Sequence, residues 1–320
     1  MLNSPDHRAV GFMLSSTLSL SITGVVTKFL ASDMSAGNLT ILRFLLPAVV
    51  LLLFLVLTSI RLPPKEMRRI LAIRSLSIGA CQLCFIYAID KLSLVESVVL
   101  FGTGPLFIML FETVFFRIRL SFITIASLLL TSIGVVLLAG DVSGFSAKPE
   151  VLVGLLAGVF NAGSQLSLHR ASKGSMSGIE NNAWTFLFAG VAIVPIVFVT
   201  SPDALSETWH AFTTPRHIAN HWETLTLLAL LTVMVINTQT SRYKAYQLAA
   251  TNSQIAPLIY TNLIFTAVWQ FAFFDVVFTH PQIFGLSLII GANVMCTMIK
   301  RPFIDKKSRS NRHRPPISSN

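Results

Sequence analysis

The chain has 320 residues, of which 53% are apolar and only 12% are charged. Typical soluble domains carry about 25% charged residues, so this composition excludes an ordinary soluble domain and indicates a surface in contact with membrane lipid. The formal net charge is +10, but the excess lies in short segments between apolar runs and in the C-terminal tail. Charge in those places is typical of a topology signal, and we expect no nucleic-acid partner.

Ten apolar runs are long enough to cross about 30 Å of hydrocarbon as helices. The first run has no small-residue cleavage pattern, which predicts a retained helix rather than a signal peptide. No run alternates as a barrel strand does, so the sequence predicts an all-α integral membrane fold. In chain order, the ten runs are residues 9–30, 39–60, 70–89, 94–116, 121–140, 151–171, 183–200, 224–241, 251–273 and 282–299.

The basic residues between these runs follow a regular pattern. With the N-terminus inside, 18 Lys and Arg fall in the segments on the cytoplasmic side and in the tail. The opposite side receives only Lys28, Lys91, Lys148 and Arg216. Because cytoplasmic loops are enriched in Lys and Arg, this split predicts a multi-pass protein with both termini in the cytoplasm. We expect it in a bacterial inner membrane.

Parts of the chain repeat each other at long range. LLTSIGVVL at residues 129–137 is similar to LSLIIGANV at residues 286–294, and residues 11–28 are similar to residues 154–170. Five helices in each half is an odd number, so the second half would enter the membrane upside down. We therefore predict two inverted five-helix repeats, at residues 1–140 and 151–300, followed by a basic cytoplasmic tail at 301–320.

The chain also resembles a known family, the EamA-type ten-helix branch of the drug/metabolite transporter superfamily. The clearest stretch is residues 256–292, APLIYTNLIFTAVWQFAFFDVVFTHPQIFGLSLIIGA, with a first-half counterpart in YAIDKLSLVESVVLFGTGPLF at 87–107. Arg43, in ILRFLLPA, stands where that family usually has an Arg-Phe pair. The resemblance implies a ten-helix fold and transport of a small molecule.

This sequence departs from the family at residues that often carry charge. Members often have a Glu just before the proline of the fourth helix and at the equivalent place in the ninth, whereas this chain has Gly104 and Asn262. The Gly-Glu-Arg that commonly follows the fourth helix is replaced by Arg117-Ile118-Arg119. A mechanism that depends on those glutamates is therefore not expected here.

Polar side chains recur at the predicted midplane of several runs. In the first run Ser16, Ser19, Thr23 and Thr27 are spaced by three or four residues and share one helical face. Such hydroxyls often bond back to their own helix, and Asn or Gln can join neighbouring helices, but they can also line a cavity. The predicted substrate-binding residues are Thr23, Arg43, Gln82, Asn161, Gln165, Tyr260, Asn262 and Trp269.

Charged residues within the runs lie near their ends. Arg43, Arg74, Glu96 and Glu112 are each within about 6 Å of a predicted interface at about 1.5 Å per residue, where long side chains can reach water. Charges inside a membrane often mark function. Glu112 and Glu96 are therefore the candidates for coupling transport to an ion.

These patterns predict a secondary transporter that moves a small polar or amphipathic metabolite by alternating access. A membrane-embedded enzyme acting on a lipid-linked group, and a channel or receptor, remain alternatives. The histidines of the seventh-to-eighth loop form no recognisable metal-ligand motif, no Walker A loop is present, and the C-x-x-C pair Cys81 and Cys84 lies in an apolar run. We expect no enzyme activity and no cofactor. Membrane lipid is an expected partner, and a homodimer stays open.

Overall fold

The computed structural model describes residues 6–30, 34–58, 60–91, 100–117, 122–139, 149–200, 222–250, 255–274 and 279–298. Glu96, the histidine-containing loop at 201–221 and the basic tail lie outside the described residues. Within the described ranges the helices are α1 (His7–Leu30), α2 (Ala36–Thr58), α3 (Lys65–Lys91), α4 (Gly104–Phe116), α5 (Phe122–Ala139), α6 (Pro149–Ala171), α7 (Gly178–Thr200), α8 (Trp222–Leu248), α9 (Thr261–Phe274) and α10 (His280–Met298).

Several helices start or end away from the predicted apolar runs. α3 and α8 are each 27 residues long and extend past the runs at 70–89 and 224–241 into charged sequence. Within the described part of the ninth run, a 3₁₀ segment, Ala256–Tyr260, precedes α9, with a proline in its first turn. Apolar runs underestimate such helices because a helix can continue past its apolar stretch, with exposed charges such as Arg68 and Arg69 in α3 and with buried polar residues such as Arg242 in α8.

The described helices have the character of membrane spans. Five of them, α1, α2, α6, α7 and α8, are long and apolar enough to cross a bilayer, and four shorter helices are also apolar. Large apolar side chains cover their outer faces, with Leu57 84% exposed, Phe122 83% and Val199 80%. Exposed apolar surface on this scale is typical of contact with lipid rather than water.

The helices pack in pairs that connect the two halves of the chain. The most extensive contacts join α3 to α6, α1 to α8, α5 to α10 and α2 to α7. The largest buried apolar cluster draws its residues from α1, α2, α7 and α8. At its centre the rings of Phe44 and Phe186 lie 6.3 Å apart and tilted by 59°, a favourable aromatic arrangement. The core therefore forms between the halves and not within one of them.

Corresponding helices of the two halves have matching lengths. α2 (Ala36–Thr58) and α7 (Gly178–Thr200) each contain 23 residues. Adding one constant, the offset, to the residue numbers of both ends of α2 therefore gives the two ends of α7. α3 and α8 are equal in length as well, and a second, slightly larger offset relates their ends. These two offsets agree with the shifts at which the sequence itself repeats.

Close packing of α5 on α10 depends on a glycine. A Cβ atom at Gly134 would lie 2.7 Å from the Gly285 carbonyl oxygen and 2.8 Å from Ile289 Cγ1. Small residues let helix backbones approach closely within a membrane. Gly291, the counterpart of Gly134 in the repeat, has no atom within 4 Å of such a Cβ.

Candidate functional site

A central cavity opens between α1, α2, α3, α7 and α8. The space that the centre of a water-sized sphere can occupy in it is about 40 Å³, so the cavity is narrow in this conformation. The wall mixes apolar, amide, hydroxyl and guanidinium groups. The lining residues are Leu20, Thr23, Arg43, Phe44, Ile78, Gln82, Phe186, Val235, Thr238 and Gln239.

Three of the predicted substrate-binding residues belong to this wall. Arg43 and Gln82 are half-buried, and neither side chain hydrogen-bonds to a described residue, so their polar groups are available to a ligand. Thr23 Oγ1 donates to the Ser19 carbonyl oxygen at 2.8 Å. That bond lies within α1, as hydroxyls in membrane helices often bond, so Thr23 presents mainly its methyl group and its oxygen lone pairs.

The cavity wall includes pairs of residues that lie equally far from the starts of two helices of equal length. Phe44 in α2 and Phe186 in α7 lie equally far from the start of their helices. The same holds for Gln82 in α3 and Gln239 in α8. Phe186 and Gln239 were not predicted from the sequence, nor was Val235, although the repeat applied to Gln82 would have found Gln239.

A buried guanidinium lies next to the cavity. Arg74 is 1% exposed, and its Nη1 donates to Asn181 Oδ1. Its Nη2 donates to Asn182 Oδ1 at 2.9 Å and to Gln239 Oε1 at 3.2 Å. From the sequence we expected Arg74 near an interface, with its side chain reaching water. That expectation was wrong, because α7 and α8 cover this part of α3.

A second buried arginine, Arg242, lies on α8 and is 4% exposed. Its Nε donates to Ser16 Oγ at 3.1 Å, and Ser16 Oγ in turn donates to the Thr238 carbonyl oxygen at 2.8 Å. Arg242 also lies close enough to Arg74 for the two positive charges to repel. The count of Lys and Arg on each side of the membrane, made from the sequence, placed Arg242 in a cytoplasmic loop. The assignment was wrong because α8 continues to Leu248.

Two of the predicted amides form a separate buried cluster with an acidic residue. Gln165 Nε2 donates to Asn161 Oδ1 at 3.3 Å, and Tyr246 Oη donates to Gln165 Oε1 at 3.0 Å. Glu112 is 1% exposed and lies near enough to Tyr246 to interact with it electrostatically. The amides thus lie beside α4 and α8 and outside the wall of the central cavity. They are close to Glu112, the residue predicted to couple transport to an ion.

The three predicted residues of the ninth span are also outside the cavity wall. Tyr260 Oη donates to the Gly102 carbonyl oxygen, and Trp269 Nε1 donates to Ser21 Oγ at 3.0 Å. Both contacts connect segments distant in the chain. Asn262 Oδ1 is buried without a hydrogen-bond partner among the described residues.

Gly104 leaves room for the Asn161 amide. A Cβ atom at Gly104 would lie 2.8 Å from Asn161 Nδ2, closer than side chains tolerate. A larger residue at 104, where family members often have Glu, would therefore displace Asn161. The glycine at position 104 therefore makes room for the amide of Asn161 on α6.

Hydrogen bonds join the connection between α6 and α7 to the end of α8. Lys173 Nζ donates to the carbonyl oxygens of Gln247 at 2.6 Å and Ala249 at 2.8 Å, which satisfies carbonyls that a helix end leaves unpaired. Partial burial lowers the pKa of Lys173. Tyr243 Oη donates to the Met176 carbonyl oxygen at 2.6 Å. These bonds hold α6, α7 and α8 together at one end of the protein.

The residues whose side chains the structure describes contain two cysteines and no cluster of metal-ligating side chains. Among those residues no group of three or more His, Cys, Asp or Glu side chains is placed to hold a metal ion. Cys81 is buried and Cys84 half-buried, and both are thiols.

A match to a known protein family identifies the class of protein. The profile of the EamA-like transporter family matches residues 7–140 and again residues 148–298, so the chain belongs to the EamA-like transporter family. It is a membrane transporter and not an enzyme. The family lies within the drug/metabolite transporter superfamily that the sequence resembles.

Individual relatives are distant. The pseudopaline exporter CntI of Pseudomonas aeruginosa, in strains PAO1 and UCBPP-PA14, is 20% identical over 287 residues, which cover 89% of this chain and 94% of the relative. A solved crystal structure, described only as that of a protein, matches with a TM-score of 0.67 at 18% identity and covers 91% of this chain and 98% of that one. Similarity at this level establishes the fold.

Proposed function

We propose that this protein is a secondary transporter that moves a small polar or amphipathic metabolite across the bacterial inner membrane by alternating access. The observation that carries the proposal is the central cavity, whose wall includes three pairs of residues at equivalent positions of both halves, such as Gln82 and Gln239. A site between two similar halves can open to either side when the halves rock against each other.

The proposed architecture is ten transmembrane helices in two inverted five-helix repeats. Three observations support it: the matching lengths of α2 and α7 and of α3 and α8, the pairing of α1 with α8 and of α3 with α6, and the double match to one family profile. A pseudo-two-fold axis that exchanges the halves converts the α1–α8 contact into the α6–α3 contact. We assign residues 1–140 and 151–300 to the two repeats.

Cargo would enter the cavity between α1, α2, α3, α7 and α8. Arg43 and Gln82 would orient it through hydrogen bonds, and Phe44 and Phe186 would contact its apolar part. A second stage of the cycle, in which the helices around α6 and α9 rearrange, would use the predicted binding residues outside the cavity wall, Asn161, Gln165, Tyr260, Asn262 and Trp269. The CntI relatives are exporters by name, which supports export as the direction to test first.

Coupling would depend on the buried carboxylate of Glu112. It lies on α4, close to Tyr246, in a cluster that joins α4, α6 and α8. A carboxylate at that depth can take up and release a proton as the halves rearrange. Glu96 stays the alternative.

Alternating access can be tested by labelling single cysteines from each side of the membrane. Ile78→Cys and Val235→Cys, at equivalent cavity positions, are introduced after Cys81, Cys84 and Cys296 are replaced by serine. A membrane-impermeant maleimide is added to right-side-out and to inside-out vesicles. Alternating access predicts labelling of both positions from both sides, because each side opens in turn.

Val49→Cys is the matched control, because Val49 lies near the middle of α2 and is 53% exposed on the outer surface, where surrounding lipid would keep a thiol un-ionised and unreactive. Labelling of the cavity cysteines from one side only, under every condition, would contradict alternating access. A channel would also permit labelling from both sides, but it would pass current in single-channel recordings, whereas a carrier would not.

A further inference from the structure

The described structure contains three arginines in or beside the transport path and no carboxylate paired with them. Arg43 lines the cavity without a hydrogen bond to any described residue. Arg74 and Arg242 are buried, and each donates only to neutral oxygens, from Asn, Gln and Ser side chains. Burial of a charge without a counter-charge is strongly unfavourable, and Arg74 and Arg242 also repel each other.

The cluster around Arg74 and Arg242 has more hydrogen-bond donors than acceptors. Four buried donor atoms have no partner among the described residues: Arg74 Nε, Arg242 Nη2, Asn181 Nδ2 and Asn182 Nδ2. Guanidinium groups cannot lose their protons in a protein, and each has five N–H bonds to satisfy. A cluster with a surplus of both donors and positive charge favours an acceptor that carries negative charge.

The cluster and the cavity are continuous. Gln239 lines the cavity and accepts a hydrogen bond from Arg74 Nη2 at 3.2 Å. Thr238, its neighbour, also lines the cavity, and its carbonyl accepts from Ser16, which in turn binds Arg242. Arg74 and Gln82 lie on the same helix, about 12 Å apart along its axis at about 1.5 Å per residue. An anion bound in the cavity would thus have a second cationic site within reach.

We propose that the cargo carries an anionic group, a carboxylate or a phosphate, which Arg43 binds in the cavity and which the Arg74–Arg242 cluster binds at the next stage of transport. Planar guanidinium groups bind both anions in a bidentate manner. This inference rests on the proposed transport function and adds the chemical class of the cargo to it.

The test compares metabolites of cells that lack the gene with those of the same cells expressing the wild-type protein. Medium and cell extract are each separated on an anion-exchange resin at pH 7 and analysed by untargeted mass spectrometry, so that import and export are both detected. We expect the metabolite whose distribution changes to be retained by the resin. Accurate mass then distinguishes a phosphate, which contains phosphorus, from a carboxylate.

Variants connect the charge of the cargo to the arginines. Arg43→Gln is expected to reduce transport of that metabolite about tenfold or more, because it removes a charge-assisted pair, and Arg43→Lys is expected to retain part of the rate. Arg74→Gln is expected to have a similar effect. Arg69→Gln, which removes an exposed charge from the same helix, is expected to transport like wild type.

Membrane abundance and size-exclusion profiles in detergent identify variants that fail to fold. Arg74 is bonded to Asn and Gln side chains, so Arg74→Gln is the variant at greater risk. Arg43 has no hydrogen-bond partner among the described residues, and its substitution keeps the test valid if the Arg74 variant does not fold.

Three results are distinct. A transported metabolite that is neutral or cationic overturns the inference and leaves the transport function intact. An anionic metabolite that folded Arg43→Gln and Arg74→Gln proteins move at the wild-type rate also overturns it. If no metabolite differs between cells with and without the protein, the proposed transport function itself fails.

Discussion

Gln82 on α3 and Gln239 on α8 line the same cavity although they belong to different halves of the chain. The two amides have different surroundings. Gln239 Oε1 accepts a hydrogen bond from the buried Arg74, whereas Gln82 bonds to no described residue. One half of the protein thus uses this position to hold its structure together, and in the other half the amide faces the cavity without a bond to a described residue.

This difference predicts that the two glutamines respond differently to substitution. Gln82→Leu should weaken cargo binding about tenfold, the effect of one hydrogen bond, and leave thermal stability unchanged. Gln239→Leu should weaken transport and also lower the free energy of unfolding by about 1–3 kcal/mol, because Arg74 loses a buried acceptor. Transport assays and melting curves in detergent measure the two effects, and equal stability of the two variants would contradict the assignment.

A second prediction concerns helix packing between α5 and α10. Gly134→Ala should lower the free energy of unfolding by about 1–3 kcal/mol, because the added methyl group collides with the Gly285 backbone. Gly291→Ala is the control at the equivalent position of the repeat. It meets open space and should be neutral, or stabilising by up to about 1 kcal/mol, since alanine favours a helix over glycine. Melting temperatures in one detergent provide the comparison.

A third prediction concerns energy coupling through Glu112. In proteoliposomes, Glu112→Gln should abolish acceleration of transport by an imposed pH gradient while exchange of cargo across the membrane continues, because a glutamine cannot carry a proton through the cycle. Glu112→Asp, which retains the carboxyl group, should keep part of the pH response. If Glu112→Gln and Glu96→Gln each responded to the gradient as wild type does, a carboxylate proton relay would be ruled out.

A fourth prediction concerns orientation. Alkaline phosphatase is active only outside the cytoplasm, so a fusion in the loop at 201–221 should be active and a fusion after Asn320 inactive. Green fluorescent protein at the same two positions should give the opposite result. The physical reason is the concentration of Lys and Arg on one side of the predicted spans. An active phosphatase at the C-terminus would mean an odd number of spans or the reverse orientation.

The sequence predicted the existence of the helices more reliably than the residues at which they begin and end. Apolar runs located all ten described helices in the correct order, because a segment that crosses lipid must be both apolar and helical. The ends of α3 and α8 were missed where polar residues such as Arg242 continue the helix. The sequence around a charged residue near the end of a run is the same whether its side chain reaches water or packs against other helices. Only contacts with residues distant in sequence decide between these two cases.

Candidate site residues were harder to predict than the fold. Thr23, Arg43 and Gln82 line the cavity, whereas Asn161 and Trp269 bond to other side chains outside its wall. The sequence shows how far along a run each polar residue lies. It does not show which way the side chain points around the helix axis, because hydrophobic periodicity is weak when both lipid and the protein interior are apolar.

The sequence by itself determined the membrane class, the helical fold and the internal repeat of the chain, since each depends on local composition or on similarity between parts of one chain. The tertiary structure alone decided which polar groups meet. Arg74, Asn181, Asn182 and Gln239 come from three helices far apart in sequence, and their surplus of donors exists only once α3, α7 and α8 are packed together. Hydrogen bonding is a property of atoms within about 3 Å of each other, and the packing of the helices sets those distances.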